Sequence, residues 1–247
     1  MSDKIHIRLY VEDSLPGGGI LTLAPDQSHY LGNVMRAKAG TPVALFNGRD
    51  GEWAAEVAEV QKKAVTLRID RKIKEQRAEP DLWLVFAPIK KARLDFIAQK
   101  ATELGVSHLA PVYTRRTIVD RVKTDRLGAN AIEAAEQCER LNVPTIAEPV
   151  KLDKLLADWP ADRRIMFCDE DLSGQSAHTA LAAAADKADP GKWAILIGPE
   201  GGFDDTERKM IRAQENVTVV SLGPRVLRAD TAAMAAIALW QSALGDW

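Results

Sequence analysis

The chain has 247 residues, long for one compact core and enough for two domains. Hydrophobic residues make up 46% and charged residues 28%, which excludes a disordered chain, and a net charge of −2 excludes a protein that coats nucleic acid without specificity. The longest apolar run, Ala232 to Trp240, falls far short of the roughly 20 residues that cross a bilayer, and Met1 to Tyr10 carries charges where a signal peptide is apolar, so a cytoplasmic protein is expected.

Residues 1–72 read as a string of short strands: Ile5 to Val11, Ile20 to Leu23, Thr41 to Phe46, Glu52 to Val60 and Ala64 to Ile69. Turn signals separate them at Pro16-Gly17-Gly18-Gly19, Asn47-Gly48 and Asp50-Gly51, and one helix interrupts them from about Asp26 to Arg36. A small β-barrel fits this pattern. From Arg71 to Asp81 the sequence is polar, without apolar periodicity, and 73–80 is assigned as a linker.

The second domain, 81–247, alternates apolar strands with helical segments. Leu82 to Ile89 leads to a helix ending at Leu104 and capped by Gly105, whose Leu94, Ile97, Ala101 and Leu104 recur at helical spacing. Strand Val106 to Tyr113, a helix from Asp125 to Leu141 and a short strand near Val143 follow. Then come Arg164 to Cys168, a helix from Ala177 to Ala188, Trp193 to Ile197, Val217 to Leu222 and a small-residue helix, Ala232 to Leu244. Continuous apolar strands between amphipathic helices predict an α/β domain with a mainly parallel sheet covered on both faces.

Ligands of such sheets bind beyond the carboxyl ends of the strands. Two loops there stand out. Gly198-Pro199-Glu200-Gly201-Gly202-Phe203 follows strand Trp193 to Ile197 and precedes a helix whose Asp204 and Glu207 have the spacing of a capping box. It lacks the Lys and Ser/Thr of a phosphate loop and does not match G-x-G-x-x-G, so a nucleoside triphosphate or dinucleotide is disfavoured; a plain helix-entry turn accounts for it equally well if it stands alone. Leu222-Gly223-Pro224-Arg225-Val226-Leu227-Arg228 precedes the last helix, with Asp230 and Thr231 as possible caps.

Between Lys90 and Arg126 nine basic residues face four acidic ones, a stretch suited to phosphates, although a solvated surface explains it as well. Cys138 and Cys168 are far apart and form no C-x-x-C pair, so neither a metal site nor a disulfide is expected; both read as packed or incidental thiols.

The pair G-P-E-G-G-F and S-L-G-P-R-V-L-R-A-D-T-A-A resembles the cofactor site of SPOUT methyltransferases, in particular the ribosomal small subunit methyltransferase E family. The resemblance extends through Arg8-Leu9-Tyr10, His29-Tyr30-Leu31, Val34-Met35-Arg36, Phe46-Asn47-Gly48, Gly51-Glu52-Trp53, Lys100 to Gly105, and Glu136-Gln137-Cys138-Glu139-Arg140. It implies a PUA-like RNA-binding N-terminal domain, a SPOUT domain with a deep C-terminal trefoil knot, and a homodimer. It also implies transfer of a methyl group from S-adenosylmethionine to nitrogen 3 of a specific uridine in 16S rRNA, within the small subunit, with no metal.

On that resemblance the cofactor residues are Ile197, Gly198, Pro199, Glu200, Gly201, Gly202, Leu222, Gly223, Val226, Leu227, Arg228, Thr231 and Ala232. Uracil nitrogen 3 carries a proton at neutral pH, so the reaction needs that proton removed and the anion stabilised. Arg228 is the first candidate for stabilising the anion and Arg225 the second, with phosphate anchoring or dimer closure as the other readings. Asp230 stands where the family commonly has Glu; helix capping explains it as readily as a role in proton transfer.

Cys138 is rejected as a nucleophile, because attack on the ring activates carbon and not a deprotonated nitrogen. Glu136, Gln137 and Arg140 are read as ordering the substrate or bracing a dimer. RNA contacts are assigned to Arg8, His29, Arg36 and Arg49 in the first domain and to Lys90, Lys91, Arg93, Arg115 and Arg116 in the second. Competing readings are a knotted methyltransferase for another RNA, a non-catalytic ribosome-assembly protein and, last, a nicotinamide-dependent oxidoreductase, which lacks its glycine fingerprint.

Overall fold

A computed structural model describes residues 5–62, 64–171, 174–184 and 191–247. It divides into two compact units: the first runs to Ala78 and takes in Ala135–Val143, and the second comprises Glu79–Ala134 and Pro144–Trp247. The segment 135–143, assigned from sequence to the second domain, therefore packs with the first. No helix among the described residues is long and apolar enough to cross a membrane.

The first unit carries β1 (Ile7–Tyr10), β2 (Ile20–Thr22), α1 (Pro25–His29), β3 (Pro42–Phe46), β4 (Glu52–Val60) and β5 (Val65–Lys74). These strands form one five-stranded sheet in the order β1-β3-β4-β5-β2, with β1 parallel to β3 and the other pairs antiparallel. Alternation sets the buried face: Val65, Leu67 and Ile69 of β5 meet Leu45, Val43 and Leu31 in one core, while intervening residues face outward.

The Asn47-Gly48 turn forms for local reasons. Asn47 Oδ1 accepts the N–H groups of Arg49 and Asp50 (3.0 and 2.9 Å), and Gly48 takes a φ of 76°.

Two sequence expectations shift here. β5 continues to Lys74, because β4 offers partners as far as Glu52 and Lys74 is ion-paired to the Glu52 carboxylate at 3.1 Å; the expected linker thus begins inside a strand. The expected helix to Arg36 is α1 followed by a single π turn, Tyr30–Val34, closed by Met35 N–H donating to Tyr30 O at 2.9 Å. Arg36 then ends it in the left-handed region, with φ 53°.

The second unit alternates as expected: β6 (Leu82–Phe86), α2 (Lys91–Glu103), β7 (His108–Tyr113), α3 (Thr124–Gln137, its last three residues counted with the first unit), β8 (Thr145–Ile146), β9 (Val150–Lys151), α4 (Leu152–Ala157) and β10 (Arg163–Cys168). β11 (Gln175–Ser176), α5 (Ala177–Ala184), β12 (Lys192–Ile197), α6 (Asp205–Arg212), β13 (Val217–Ser221) and α7 (Ala229–Leu244) complete it. The sheet is parallel, in the order β11-β13-β10-β12-β6-β7-β8, with β9 beside β7. α4, β9 and β11 were not read from the sequence. The expected extension of α5 to Ala188 lies outside the described residues.

Strand alternation explains the two-sided burial. Trp193, Ile195 and Ile197 of β12, with Met166 and Cys168 of β10, pack against Ile97 of α2, Leu181 of α5 and Ile237 of α7. Ala194 and Leu196, with Ile165 and Phe167, pack on the other face against Leu152 and Leu156 of α4 and Ile211 of α6.

Candidate functional site

Because β13, β10 and β12 are adjacent and parallel, their carboxyl ends deliver three loops to one edge of the sheet: Asp169–Asp171, Gly198–Phe203 and Leu222–Arg228. This is the edge at which open α/β sheets bind ligands.

The glycine turn is fixed by close contacts. Gly202 N–H donates to Pro199 O at 2.9 Å. A Cβ on Gly198 would lie 2.7 Å from the Phe203 ring, which itself packs edge-on against Phe167 at 5.3 Å. Gly202 has φ +69°, and a Cβ there would lie 2.0 Å from Glu170 Oε1. Glu170 Oε1 also accepts the Phe203 N–H at 2.9 Å.

The helix that follows is anchored as its sequence predicts. Asp204 Oδ1 accepts the Glu207 N–H at 2.7 Å and the Glu207 side chain accepts the Asp204 N–H at 3.0 Å, a complete capping box. The Glu207 N–H, and then the Arg115 guanidinium at 2.7 Å, hold the Asp204 carboxyl below the usual carboxylate range.

Leu222, Arg225, Val226, Leu227 and Ala232 line a cavity whose other wall is Cys168, Asp169 and Glu170. Gly223, at φ +113°, has no atom within 4 Å of the place a Cβ would occupy. The apolar wall suits a planar, weakly polar group. Asp169 is fully buried and bound by Arg208 Nε (3.1 Å) and Arg212 Nη2 (2.8 Å) of α6. Burial pushes the Cys168 thiol up, so it stays protonated.

Arg225, which lines this cavity, and Arg228, which follows its Leu227 in the chain, are both exposed, and Arg228 is the N-cap residue of α7. The capping reading of Asp230 and Thr231 is corrected: α7 starts at Ala229 and its N-cap makes no side-chain cap bond. Asp230 instead stands in the first turn, 3.7 Å from Arg93 Nε, and accepts the Thr231 N–H at 3.1 Å. Thr231 is exposed, Ile197 is buried at the end of β12 with its carbonyl accepting Ala87 N–H at 3.0 Å, and Pro199 is buried while Glu200 and Gly201 are exposed.

The residues assigned to RNA divide. Arg8 is engaged within the first unit: its side chain is 10% exposed, it is ion-paired with Glu52, and it donates to Ala135 O, to Glu136 O at 3.2 Å and to Arg140 O at 2.8 Å. Three of its bonds tie 135–143 to the first unit, and Glu136 does the same by accepting the Tyr10 N–H at 2.9 Å. His29, Arg36 and Arg49 remain exposed; His29 Nδ1 lies 2.7 Å from Asn33 Nδ2, and Arg49 donates to Glu12 O at 2.7 Å.

In the second unit Lys90 is exposed at the N-cap of α2, and the side chain of Lys91 lies outside the described residues. Arg115 and Arg116 are exposed but also grip the glycine turn, Arg115 through Asp204 and Arg116 by donating to Gly201 O at 2.8 Å. Cys138, read as packed, is exposed.

Sequence reasoning passed over Asp169 and Glu170. The acidic run Asp169-Glu170-Asp171 directly after a buried parallel strand was the available signal. Among the described residues no group of three or more His, Cys, Asp or Glu side chains is arranged to hold a metal ion.

The profile of the RNA methyltransferase domain matches residues 76–241, and that of the RNA methyltransferase PUA domain matches 23–70. The chain is 31% identical over 232 residues to a ribosomal RNA small subunit methyltransferase E of Rickettsia conorii, covering 94% of this chain and 93% of that one. A methyltransferase of Legionella pneumophila, solved with bound S-adenosylmethionine, superposes with a TM-score of 0.89 at 31% identity, covering 98% of this chain and 99% of that one. The ribosomal RNA small subunit methyltransferase E of Neisseria gonorrhoeae, bound to S-adenosylmethionine, superposes with a TM-score of 0.87 at 26% identity, covering 98% and 100%. With its glycine turn, its Leu222–Arg228 loop and its N-terminal sheet each in place, the chain belongs to the RNA methyltransferase family of the ribosomal RNA small subunit methyltransferases E.

Proposed function

We propose that this protein uses S-adenosylmethionine to methylate nitrogen 3 of one uridine in the 16S rRNA of the small ribosomal subunit. The observation that carries the reading is that the Gly198–Phe203 turn and the Leu222–Arg228 loop leave the carboxyl ends of β12 and β13 on either side of Asp169–Asp171 at the end of β10, with two exposed arginines in the second loop.

The residues present fit the cofactor. Its adenine suits the wall of Leu222, Val226, Leu227 and Ala232, and Gly223 leaves backbone open for close approach. When bound, the cofactor supplies an electrophilic methyl group on a sulfonium.

The chain's own groups perform the rest. Arg228, with Arg225 second, stabilises the negative charge that the uracil oxygens carry once nitrogen 3 has given its proton to solvent. Asp230, within 3.7 Å of Arg93, orients that arginine and the first turn of α7. His29, Arg36, Arg49 and Lys90 contact RNA phosphates, which set register more than sequence.

We read the protein as a cytoplasmic homodimer with a PUA-like barrel in the first unit and a trefoil knot in the second. Support for the knot comes from β13 lying beyond β10 from β12, followed by α7 returning to pack on α2, α5 and β12.

The test uses small subunits from cells lacking the enzyme, with free 16S rRNA in parallel. Methylated nitrogen 3 blocks Watson–Crick pairing, so one cofactor-dependent reverse-transcription stop at a uridine is expected, lost in Arg228→Ala. Cofactor binding without a stop moves the substrate to another RNA, and absence of cofactor binding favours a non-catalytic role.

A further inference from the structure

Three consecutive residues of the glycine turn are held by side chains from outside it. Arg116 Nη1 donates to Gly201 O at 2.8 Å, the space over Gly202 is filled by the Glu170 carboxylate, and Glu170 Oε1 accepts the Phe203 N–H at 2.9 Å. The same Oε1 is ion-paired with Arg208 Nη2, so Glu170 is itself held from α6. Glu170 also lines the cavity that Leu222 and Leu227 border, so one residue both holds the glycine turn and borders the cavity. An ion pair with Arg208 alone would need neither contact.

We propose that Glu170 is a positioning residue for cofactor binding: by accepting the Phe203 N–H and occupying the space over Gly202, its carboxylate sets the backbone of the Gly198–Phe203 turn in the shape that receives the cofactor. The proposal rests on the S-adenosylmethionine reading above. It requires the reach and the accepting oxygen of the side chain more than its charge.

Two conservative variants separate those properties. Glu170→Gln keeps length and an oxygen that accepts from both Phe203 N–H and Arg208. Glu170→Asp keeps the charge for Arg208 but withdraws the oxygen from Phe203.

The experiment is calorimetric titration of full-length protein with S-adenosylmethionine and with S-adenosylhomocysteine, alongside thermal melts and steady-state kinetics on small subunits. Loss of an organising charge-assisted hydrogen bond corresponds to roughly tenfold in affinity, so Glu170→Asp is expected to weaken both ligands by about that factor and Glu170→Gln by less than about threefold. KM for the cofactor follows the same order, while kcat at saturating cofactor stays within about twofold of wild type.

The reverse order, with Glu170→Gln weak and Glu170→Asp intact, assigns Glu170 to the ion pair and overturns the proposal. So does unchanged affinity in both variants, or loss of kcat with KM unchanged. Wild-type protein that binds neither ligand overturns the cofactor reading itself and the proposal with it.

Discussion

A side chain at position 202 has nowhere to go: its Cβ would stand 2.0 Å from Glu170 Oε1, on a backbone whose φ of +69° already disfavours L residues. Gly202→Ala should therefore displace Glu170 or open the turn, and cofactor affinity measured by calorimetry is expected to fall by more than about tenfold. Gly223→Ala differs, because open space surrounds it and only its φ of +113° resists; a smaller loss is expected. Arg8 shows the opposite relation between residue type and role. An arginine near the start of a family-like segment reads as a phosphate contact, yet it pairs with Glu52, whose side chain is 2% exposed, and lies 4.0 Å over the Phe46 ring. Removing the sole partner of a buried charge costs about 3–5 kcal/mol, and Lys74 stays 3.1 Å from the Glu52 carboxylate, so Arg8→Ala should lower urea stability by less, about 2–3 kcal/mol. Arg36→Ala, at an exposed position, should leave stability nearly unchanged and weaken RNA binding; equal destabilisation by both would remove the distinction.

Between elements, β10 and α6 are joined by Arg208 and Arg212 meeting Asp169, a carboxylate with no solvent exposure. Arg208→Ala leaves Arg212 in place and should cost about 2–3 kcal/mol, less than loss of a sole partner, as read from chemical denaturation. At the amino ends of β6 and β7, His108 lies 4.5 Å from Trp83 and hydrogen-bonds Thr145 at 2.7 Å, while Arg163 stacks on Trp83 at 3.7 Å and pairs with Asp81. Burial first, and then Arg163, hold the His108 pKa below its ordinary value. The folded state thus keeps His108 neutral where the unfolded chain takes up a proton, so stability is present above about pH 6.5 and is lost as the pH falls below it. Melting temperatures of His108→Gln between pH 8 and 5 should show a flatter acid limb than wild type. Local signals were legible in the sequence: the Asp204–Glu207 capping box, the Gly105 stop after Leu104 and the continuous apolar run of β12 all depend on neighbours within a few residues. The extension of β5 through Arg71 to Lys74 was not, because its charged residues hold strand geometry through β4 and Glu52. Nor were the acidic wall of the cavity and the role of Arg8, whose partners lie far off in sequence.

The first unit is discontinuous in sequence, and that has a thermodynamic consequence. Ala135–Val143 supplies three of the carbonyls that Arg8 meets, the Glu136 carboxylate for Tyr10 N–H, the Glu139 carboxylate 2.7 Å from Lys74 Nζ and the Asn142 oxygen 2.7 Å from Gln76 Nε2. A fragment ending at Ala78 retains all five strands of the sheet but leaves the Arg8 guanidinium and Tyr10 N–H without these partners. Net hydrogen-bond contributions of about 0.5–1.5 kcal/mol each, over several part-buried bonds, add to a few kcal/mol, which is a large share of the roughly 5 kcal/mol typical of the least stable domains. Residues 1–78 alone are therefore expected to be largely unfolded or to melt well below the first unit of the full chain. Amide exchange across β1 reports this directly: protection should be weak in the fragment and strong in the full chain, with partial recovery when 135–143 is attached through a flexible linker. Full protection in the bare fragment would show that the sheet and its apolar core suffice and that the 135–143 segment merely docks on a unit already folded.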